Sequence, residues 1–341
     1  MRIGNVDTRL HVALVAEIGN NHEGSVGLAE EMIGQAADAG ADAVKLQTLV
    51  PELFVSRLDA PRLETMRRFA LSHSETERLI RGAAVQGIHV FSTPLDLDSL
   101  TALTPLVRTL KVASGDLTFT PLLRAVAATG LDTIISTGAS MMSEVGGAVK
   151  TLESVWTQLG ISPDLAILHC VSAYPASMSS LNLRAIASLS VAFPQVAVGY
   201  SDHTVGVEAA IVAAAAGARI VEKHFTINKH QSEFRDHSLS ADPVDFRELR
   251  DRIDLQDELL GTGLKVPAYE EIPMIRNLRR SLTLTRAVPR GHRLEFADLV
   301  CMRPATGLPP CDLEAAVGRR LTVAKEAGAV LVREDLDEIA R

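Results

Sequence analysis

Cysteine is scarce in this 341-residue chain. Its three residues, Cys170, Cys301 and Cys311, cannot build a disulfide framework and lack the spacing of a zinc site. Reduced thiols in a cytoplasm are the simpler expectation. Long hydrophobic runs are missing too. The apolar run Val12–Ala16 stops at Glu17, and the alanine-rich stretch Ala209–Ala218 is bounded by Glu208 and Arg219. Both fall well short of the roughly 20 residues that span a bilayer. No secretory signal is read at the N-terminus, so a soluble protein with no membrane partner is expected. Positive charge is in deficit as well: 34 Lys and Arg against 42 Asp and Glu leave a formal net charge of −8. A nucleic-acid partner, which normally meets a basic stripe, is therefore not expected.

What is present suits a large soluble core, with 47% hydrophobic and 22% charged residues. From residue 12 to about 258, short β-branched runs alternate with longer helical stretches. The runs are Val12–Ile18, Ala43–Gln47, Val90–Thr93, Thr109–Ala113, Thr133–Ser136, Leu165–His169, Val196–Ser201 and Ile220–Thr226. Helical spacing lies between them, as in Leu28–Ala39, Glu75–Gln86, Pro121–Ala128, Ser143–Leu159 and Val205–Ala216. Eight strands separated by helices imply parallel crossovers and the number that closes a (β/α)₈ TIM barrel. A doubly wound open sheet is the alternative for the same pattern. The expected organisation is a barrel over residues 1–260, a linker over 261–280 and a small domain over 281–341. Gly261, Gly263, Pro267 and Pro273 punctuate the linker. Beyond it come short β-like runs, turns at Pro289-Arg290-Gly291 and Glu326-Ala327-Gly328, and no long helix.

In such a barrel the chemistry sits at the C-terminal ends of the strands. There the sequence places Glu17, with Asn20, His22 and Glu23 beyond it, then Lys45 and Gln47, then Ser92 and Thr93. Lys111 and Ser114 follow, then Ser136 and Thr137, His169, Ser201, Asp202 and His203, and finally Glu222, Lys223 and His224. A lone strand-end lysine is usually a solvated rim charge, and loop serines usually form turns or cap helices. Convergence of nearly all strands on polar ends is harder to assign to packing. Lys45 and Lys111 can meet on one anion, with Thr93, Ser114, Ser136 and Ser201 as neutral donors. Gly115 and Gly138 would let backbone N–H groups approach a phosphate. His203 and His224 end adjacent strands and can share a divalent ion; hydrogen-bonded core histidines are the plainer reading. His169 is either a third ligand or structural, and Asp202 is the expected partner fixing a histidine tautomer. Two reaction classes stay open. One lysine forms a Schiff base, or both act electrostatically beside a metal.

At these same residues the chain resembles the bacterial sialic acid synthase family, whose members condense phosphoenolpyruvate with an N-acylated aldose to give nine-carbon keto acids. The matching segments run in order: AEIGNNHEG (16–24), VKLQT (44–48), STP (92–94), KVASG (111–115), ISTG (135–138), LHCVSAYP (168–175), SDHT (201–204) and VEKHFT (221–226). The tail from Ser281, with Met302-Arg303-Pro304 and Val317-Gly318-Arg319, is similar to the antifreeze-like (SAF) domain of that family. The resemblance implies phosphoenolpyruvate binding by Lys45, Thr93, Lys111, Ser114, Ser136, Ser172 and Ser201. It also implies a manganese or magnesium ion on His203 and His224. Glu23 and Gln47 would face the reacting centre, Glu23 handling a proton. Tyr174, Glu222, Asp236 and Glu23 would meet the sugar. Arg303 would reach the partner's site in a homodimer with swapped SAF domains, in a pathway to a surface polysaccharide.

Departures bear on the substrate. Ser172 stands where enzymes using N-acetylmannosamine commonly have asparagine, which is more like relatives making legionaminic or pseudaminic acid from di-amino-deoxy sugars. The loop Ser232–Pro243 lacks a Gly-Pro found in many members, and no counterpart of a sugar-binding residue is evident near Arg57. Two other readings compete. One is a deoxy-keto acid phosphate synthase acting on a phosphorylated aldose, which would need further basic residues. The other is a non-enzymatic sugar-binding or ice-binding module.

Overall fold

The computed structural model describes residues 1–337, so the last four residues of the expected 281–341 domain lie outside the described residues. The chain divides into two compact units, Met1–Gly261 and Thr262–Arg341. In the first, eight parallel strands form a closed barrel. They are β1 (Ala13–Gly19), β2 (Ala43–Thr48), β3 (His89–Pro94), β4 (Thr109–Val112), β5 (Asp132–Ser136), β6 (Leu165–Cys170), β7 (Ala197–Asp202) and β8 (Ile220–His224). Sequential strands are neighbours, and β8 closes the ring on β1 with Ile220 opposite Ala13 and His224 opposite Glu17. The open-sheet alternative is thereby excluded.

Period-two alternation divides each strand between two environments. One face packs on the helices through Leu14, Ala16, Ile18, Val44, Leu46, Val90, Leu110, Ile135, Ile167, Val198, Tyr200 and Val221. The other fills the barrel interior through Val15, Ala43, Phe91, Ile134, Ala166, Leu168 and Ile220. Two residues further along, on that same inner face, stand Glu17, Lys45, Thr93, Ser136, Cys170 and Glu222. The barrel floor is thus apolar and its mouth polar.

The helices follow from local signals. In α1 (Val26–Asp38), Ser25 caps the N-terminus by accepting from Leu28 N, and Ala29, Met32, Ile33 and Ala36 form the buried stripe. Helix α2 (His73–Val85) starts at a reciprocal Ser72/Glu75 capping box. Helix α3 (Met142–Leu159) buries Val145, Ala148, Val149, Leu152 and Trp156, and stops at Gly160, whose φ is +68°. Pro243–Leu260 makes another long helix, capped by Asp242 with Pro243 at its first position. The loop after β2 carries two helices not foreseen from periodicity, Pro51–Phe54 and Ala60–Phe69, because their apolar residues are few. Among the described residues no helix is long and apolar enough to cross a membrane.

The second unit has a two-stranded antiparallel ribbon, Ser281–Leu284 with Leu299–Met302. Its core gathers Leu282, Leu284, Val288, Leu294, Leu308, Leu321 and Leu331. Buried Asp298 is held by Arg286 and His292, each at 2.8 Å. Tyr269–Met274 and Ile275–Leu278 supply short helical turns in the region read as linker.

Packing inside the barrel is tight at Gly199 on β7. A Cβ there would fall 2.4 Å from Ile220 O and 2.5 Å from Leu168 Cδ2. Gly199→Ala is therefore expected to destabilise the barrel by about 1–3 kcal/mol. A urea midpoint equal to that of the wild type would contradict this packing.

Candidate active site

The mouth is organised by charges that the strands bury. Lys45 Nζ lies 2.8 Å from Glu17 Oε2 and 3.7 Å from Glu222 Oε1, and it donates to Thr93 Oγ1 at 3.3 Å. Lys111 Nζ lies 3.8 Å from Glu222 Oε2, with no shorter ion pair among the described residues. Ser201 Oγ donates to Glu222 Oε1 at 2.8 Å, and Gln47 Nε2 donates to Glu17 Oε1 at 2.7 Å. Four of these side chains, Glu17, Lys45, Lys111 and Glu222, are almost wholly withdrawn from solvent.

Their electrostatics follow from burial set against pairing. Burial works against the Lys45 ammonium, but the Glu17 and Glu222 carboxylates outweigh it and hold its pKa above the lysine value. Lys111 has only the more distant Glu222, so burial wins and its pKa falls. Burial opposes ionisation of Glu222, but Lys111 and Lys45 together hold its carboxyl below the ordinary range. Glu17 goes the other way: burial raises it and Lys45 only partly compensates. Two lysines and two glutamates balance one another. An anion entering here would compete with the carboxylates for the ammonium groups.

Neutral donors surround this cluster. Ser136 Oγ is buried and has no hydrogen-bond partner among the described residues. Ser114 Oγ accepts from Gly138 N at 2.9 Å. A Cβ on Gly138 would stand 2.1 Å from Ser172 Oγ, 2.9 Å from Ser114 Oγ and 3.2 Å from Cys170 Sγ. Only glycine lets these three side chains close over the β5 end, which brings Ser172 beside Ser114.

The two histidines are neighbours, with ring centroids 5.3 Å apart. His203 Nδ1 lies 2.8 Å from Val171 O, which assigns the proton to Nδ1 and leaves the Nε2 lone pair free. Burial, followed by the positive charge of His203 and Lys45, keeps His224 well below the ordinary imidazole pKa, and its Nδ1 is buried without a partner. Burial favours the neutral form of His224 with a ring lone pair to give, and His203 would offer Nε2 once that nitrogen is unprotonated; such a pair fits a divalent cation. Among the described residues no group of three or more His, Cys, Asp or Glu side chains is arranged for a metal. A two-histidine site would leave positions for oxygen ligands from substrate or water. The Tyr174 ring lies 4.1 Å from that of His203, Arg235 sits 4.7 Å from the Tyr174 centroid, and Asp236 pairs with Arg235 at 3.0 Å.

The structure corrects the expected contact of Asp202 with a histidine and places four other residues. Asp202 does not touch His203; it points to the helix-facing side, where Lys223 Nζ donates to it at 2.8 Å and Thr204 N at 2.9 Å. Lys223 is therefore an outward, structural lysine, although it shares a strand end with Glu222 and His224. His169 also faces outward and bonds Leu181 O at 2.7 Å through Nε2, which removes it as a metal ligand. Glu23 lies in the loop after β1. Arg303 belongs to the second unit, where its Nε donates to Leu278 O at 2.8 Å.

The model of the NeuB family matches residues 32–265, and that of the SAF domain matches residues 279–337. The chain belongs to the NeuB family. An N,N'-diacetyllegionaminic acid synthase of Legionella pneumophila is 36% identical over 95% of this chain and 94% of its own length. An uncharacterised protein of Methanocaldococcus jannaschii is 39% identical over 95% of the chain and 94% of its own. The crystal structure of an N-acetylneuraminic acid synthetase from Leptospira borgpetersenii superposes with a TM-score of 0.75 at 33% identity, over 81% of this chain and 94% of that one.

Several neighbours of the site escaped sequence reasoning. Glu17 was visible as a strand end without a role; the structure makes it the tightest partner of Lys45. Cys170, 3.6 Å from His203 Nδ1, shows nothing in the sequence beyond a reduced thiol. Arg235 and His237 lie on the short helix Arg235–Leu239, which has too few residues to show a period.

The opposed faces of β8 can be separated by experiment. Lys223→Met leaves the buried Asp202 carboxylate without its cation, which should cost about 3–5 kcal/mol of stability. Denaturant unfolding of that variant checks this, and a loss below about 1 kcal/mol would contradict a buried pair.

Proposed function

We propose that the chain is a phosphoenolpyruvate-dependent nonulosonate synthase, joining phosphoenolpyruvate to an N-acylated aldose. The observation that carries the reading is the buried Lys45/Lys111 pair at the barrel mouth, together with the unpartnered Ser136 hydroxyl and the His203/His224 pair at the ends of the last two strands. A strongly anionic ligand suits the first and an aldehyde or hydroxyl oxygen the second. The names of the relatives support the same class, and the legionaminic acid synthase favours an aldose carrying two acetamido groups. Arg235, a further basic side chain at the mouth, is already paired with Asp236 at 3.0 Å. That weighs against a phosphorylated aldose.

In this reading Lys45 and Lys111 hold the phosphate by charge, with Ser136 and Thr93 donating hydrogen bonds. A divalent ion, manganese or magnesium, held by His203 and His224 would supply Lewis acidity at the aldehyde oxygen. Tyr174 and Asp236 would orient the open-chain sugar so that its aldehyde carbon meets the methylene carbon of phosphoenolpyruvate. The new C–C bond forms from the enol electron pair, and the aldehyde oxygen takes a proton. Water adds to the former enol carbon and loses a proton, and the adduct then expels phosphate with C–O cleavage. Glu23 is assigned to handling one of these protons. Gln47 stays in place through Glu17 and Asn20, donating to one and accepting from the other.

Lysine as a Schiff-base amine has one observation in its favour, the lowered pKa of Lys111. Borohydride reduction in the presence of substrates should trap no adduct if both lysines act by charge. A covalent product on Lys111 would replace that role with the nucleophilic one.

Phosphate release from phosphoenolpyruvate should require both an N-acylated aldose and a divalent metal. Lys111→Met should slow it by on the order of 10²–10³-fold. Full activity after chelation and dialysis would remove the metal, and turnover only with phosphorylated aldoses would replace the substrate class.

We further assign Arg303 to the site of a second subunit in a homodimer with exchanged SAF domains. Arg303→Ala should be inactive alone, yet regain turnover when mixed and refolded with inactive Lys111→Met. Absence of complementation, with both variants dimeric, would refute the exchange.

A further inference from the structure

Glu23 is held in a costly geometry. Its φ is +47°, a left-handed conformation rare for a side chain other than glycine or asparagine. The next residue, Gly24, has φ +84°, and a Cβ there would fall 2.3 Å from Arg68 O. The loop after β1 is therefore wedged against the helix Ala60–Phe69, and its turn is closed by Glu23 N donating to Asn20 O at 2.9 Å. Strain of this kind persists where the surroundings over-determine it.

Those surroundings include a residue absent from the site as read so far. His237 is wholly buried, and its Nε2 lies 3.0 Å from Glu23 Oε1. Its Nδ1 lies 2.8 Å from Thr226 Oγ1, so both ring nitrogens are engaged. Ser232 Oγ donates to the same Glu23 oxygen, while Oε2 has no partner among the described residues. Phe234 packs beside the imidazole at 6.1 Å and edge-on to Phe69 at 4.9 Å. Asn21 ties the same two loops together through Phe225 O at 2.8 Å and Ser240 Oγ at 2.9 Å.

We propose that His237 is a positioning residue for Glu23: its Nε2–H, fixed by Thr226 behind it, pins one carboxylate oxygen so that the other is presented to the reacting groups. This rests on the reading of Glu23 as the proton-handling carboxylate. One oxygen is saturated by Ser232 and His237, which leaves Oε2 as the atom able to take or give a proton. Burial works against the Glu23 charge, but the two hydrogen bonds and then the neighbouring Arg68 outweigh it and keep the carboxyl below the ordinary glutamate pKa. A buried imidazole needs its ring nitrogens partnered in any role; what points to positioning is that the partner of Nε2 is the Glu23 carboxylate, 3.0 Å away.

The test separates the two nitrogens. His237→Gln keeps an amide N–H near the Nε2 position; His237→Asn keeps a polar group facing Thr226 and loses the donor to Glu23. With phosphoenolpyruvate and the aldose that wild-type enzyme uses, His237→Asn should lower kcat by on the order of 10–100-fold and leave the KM for phosphoenolpyruvate within about twofold. His237→Gln should recover most of that loss. Glu23→Gln combined with His237→Asn should be no slower than Glu23→Gln alone. Equal losses in the two His237 variants, or additive losses in the double variant, would overturn the proposal.

An activity-free measurement covers the case in which a buried substitution unfolds the chain. Imidazole ¹⁵N spectra of the unmodified protein should show His237 protonated at Nε2. A ring protonated only at Nδ1 has no donor for Glu23 and would overturn the proposal on its own. If wild-type protein releases no phosphate with any N-acylated aldose, the synthase reading fails. The spectrum still decides whether His237 holds Glu23.

Discussion

The paired burial of Lys45 with Glu17 and of Lys111 with Glu222 is the constraint on which the barrel mouth depends. Four ionisable side chains on the inner faces of β1, β2, β4 and β8 sit where water cannot solvate them. Desolvating such groups costs several kcal/mol each unless partners satisfy them, and even good pairs rarely stabilise more than well-packed apolar residues would. The lower barrel shows that alternative, since Val15, Ala43 and Ile220 occupy the same strand faces two residues earlier. Retaining charges one layer higher gives up stability for preformed ammonium groups, which in the proposed reading receive a strongly charged ligand.

Asymmetry within the cluster shapes what it can do. Lys45 has a carboxylate at 2.8 Å, whereas Lys111 has its nearest at 3.8 Å. Lys111 is consequently the cation with least to lose on meeting a new anion, and Ser136 adds a donor with no present partner. Above this layer the histidines, Tyr174, Arg235 and Asp236 form a second tier of mixed polarity. The gradient from apolar floor to charged layer to hydrogen-bonding rim is what a small ligand with one anionic end and one hydroxylated end would require.

Much of this was legible in the sequence, and the limits have physical causes. Eight strands emerged because β-branched runs recur between helical segments, and period two then assigns Lys45, Thr93, Ser136, Ser201 and Glu222 to one face. The same rule should have placed Lys223, Asp202 and His169 on the opposite face. They share strand ends with the site but not its face, which a grouping by strand end does not distinguish. Pairing choices such as Glu17 with Lys45 join strands about thirty residues apart, and no local pattern carries them. The Arg235–Leu239 turn and the helices after β2 are short and poor in apolar residues, so contacts of Glu23 with His237 and Arg68 could not be seen beforehand. Arg303 was reached by resemblance alone.

The most direct measurement is a crystal structure of the enzyme with phosphoenolpyruvate and manganese bound. The phosphate should lie between Lys45 Nζ and Lys111 Nζ within reach of Ser136 Oγ, and the metal should sit on His203 and His224. Phosphoenolpyruvate bound elsewhere, with the Lys45–Glu17 pair undisturbed and Lys111 free, would contradict the claim that the buried charges exist to receive it.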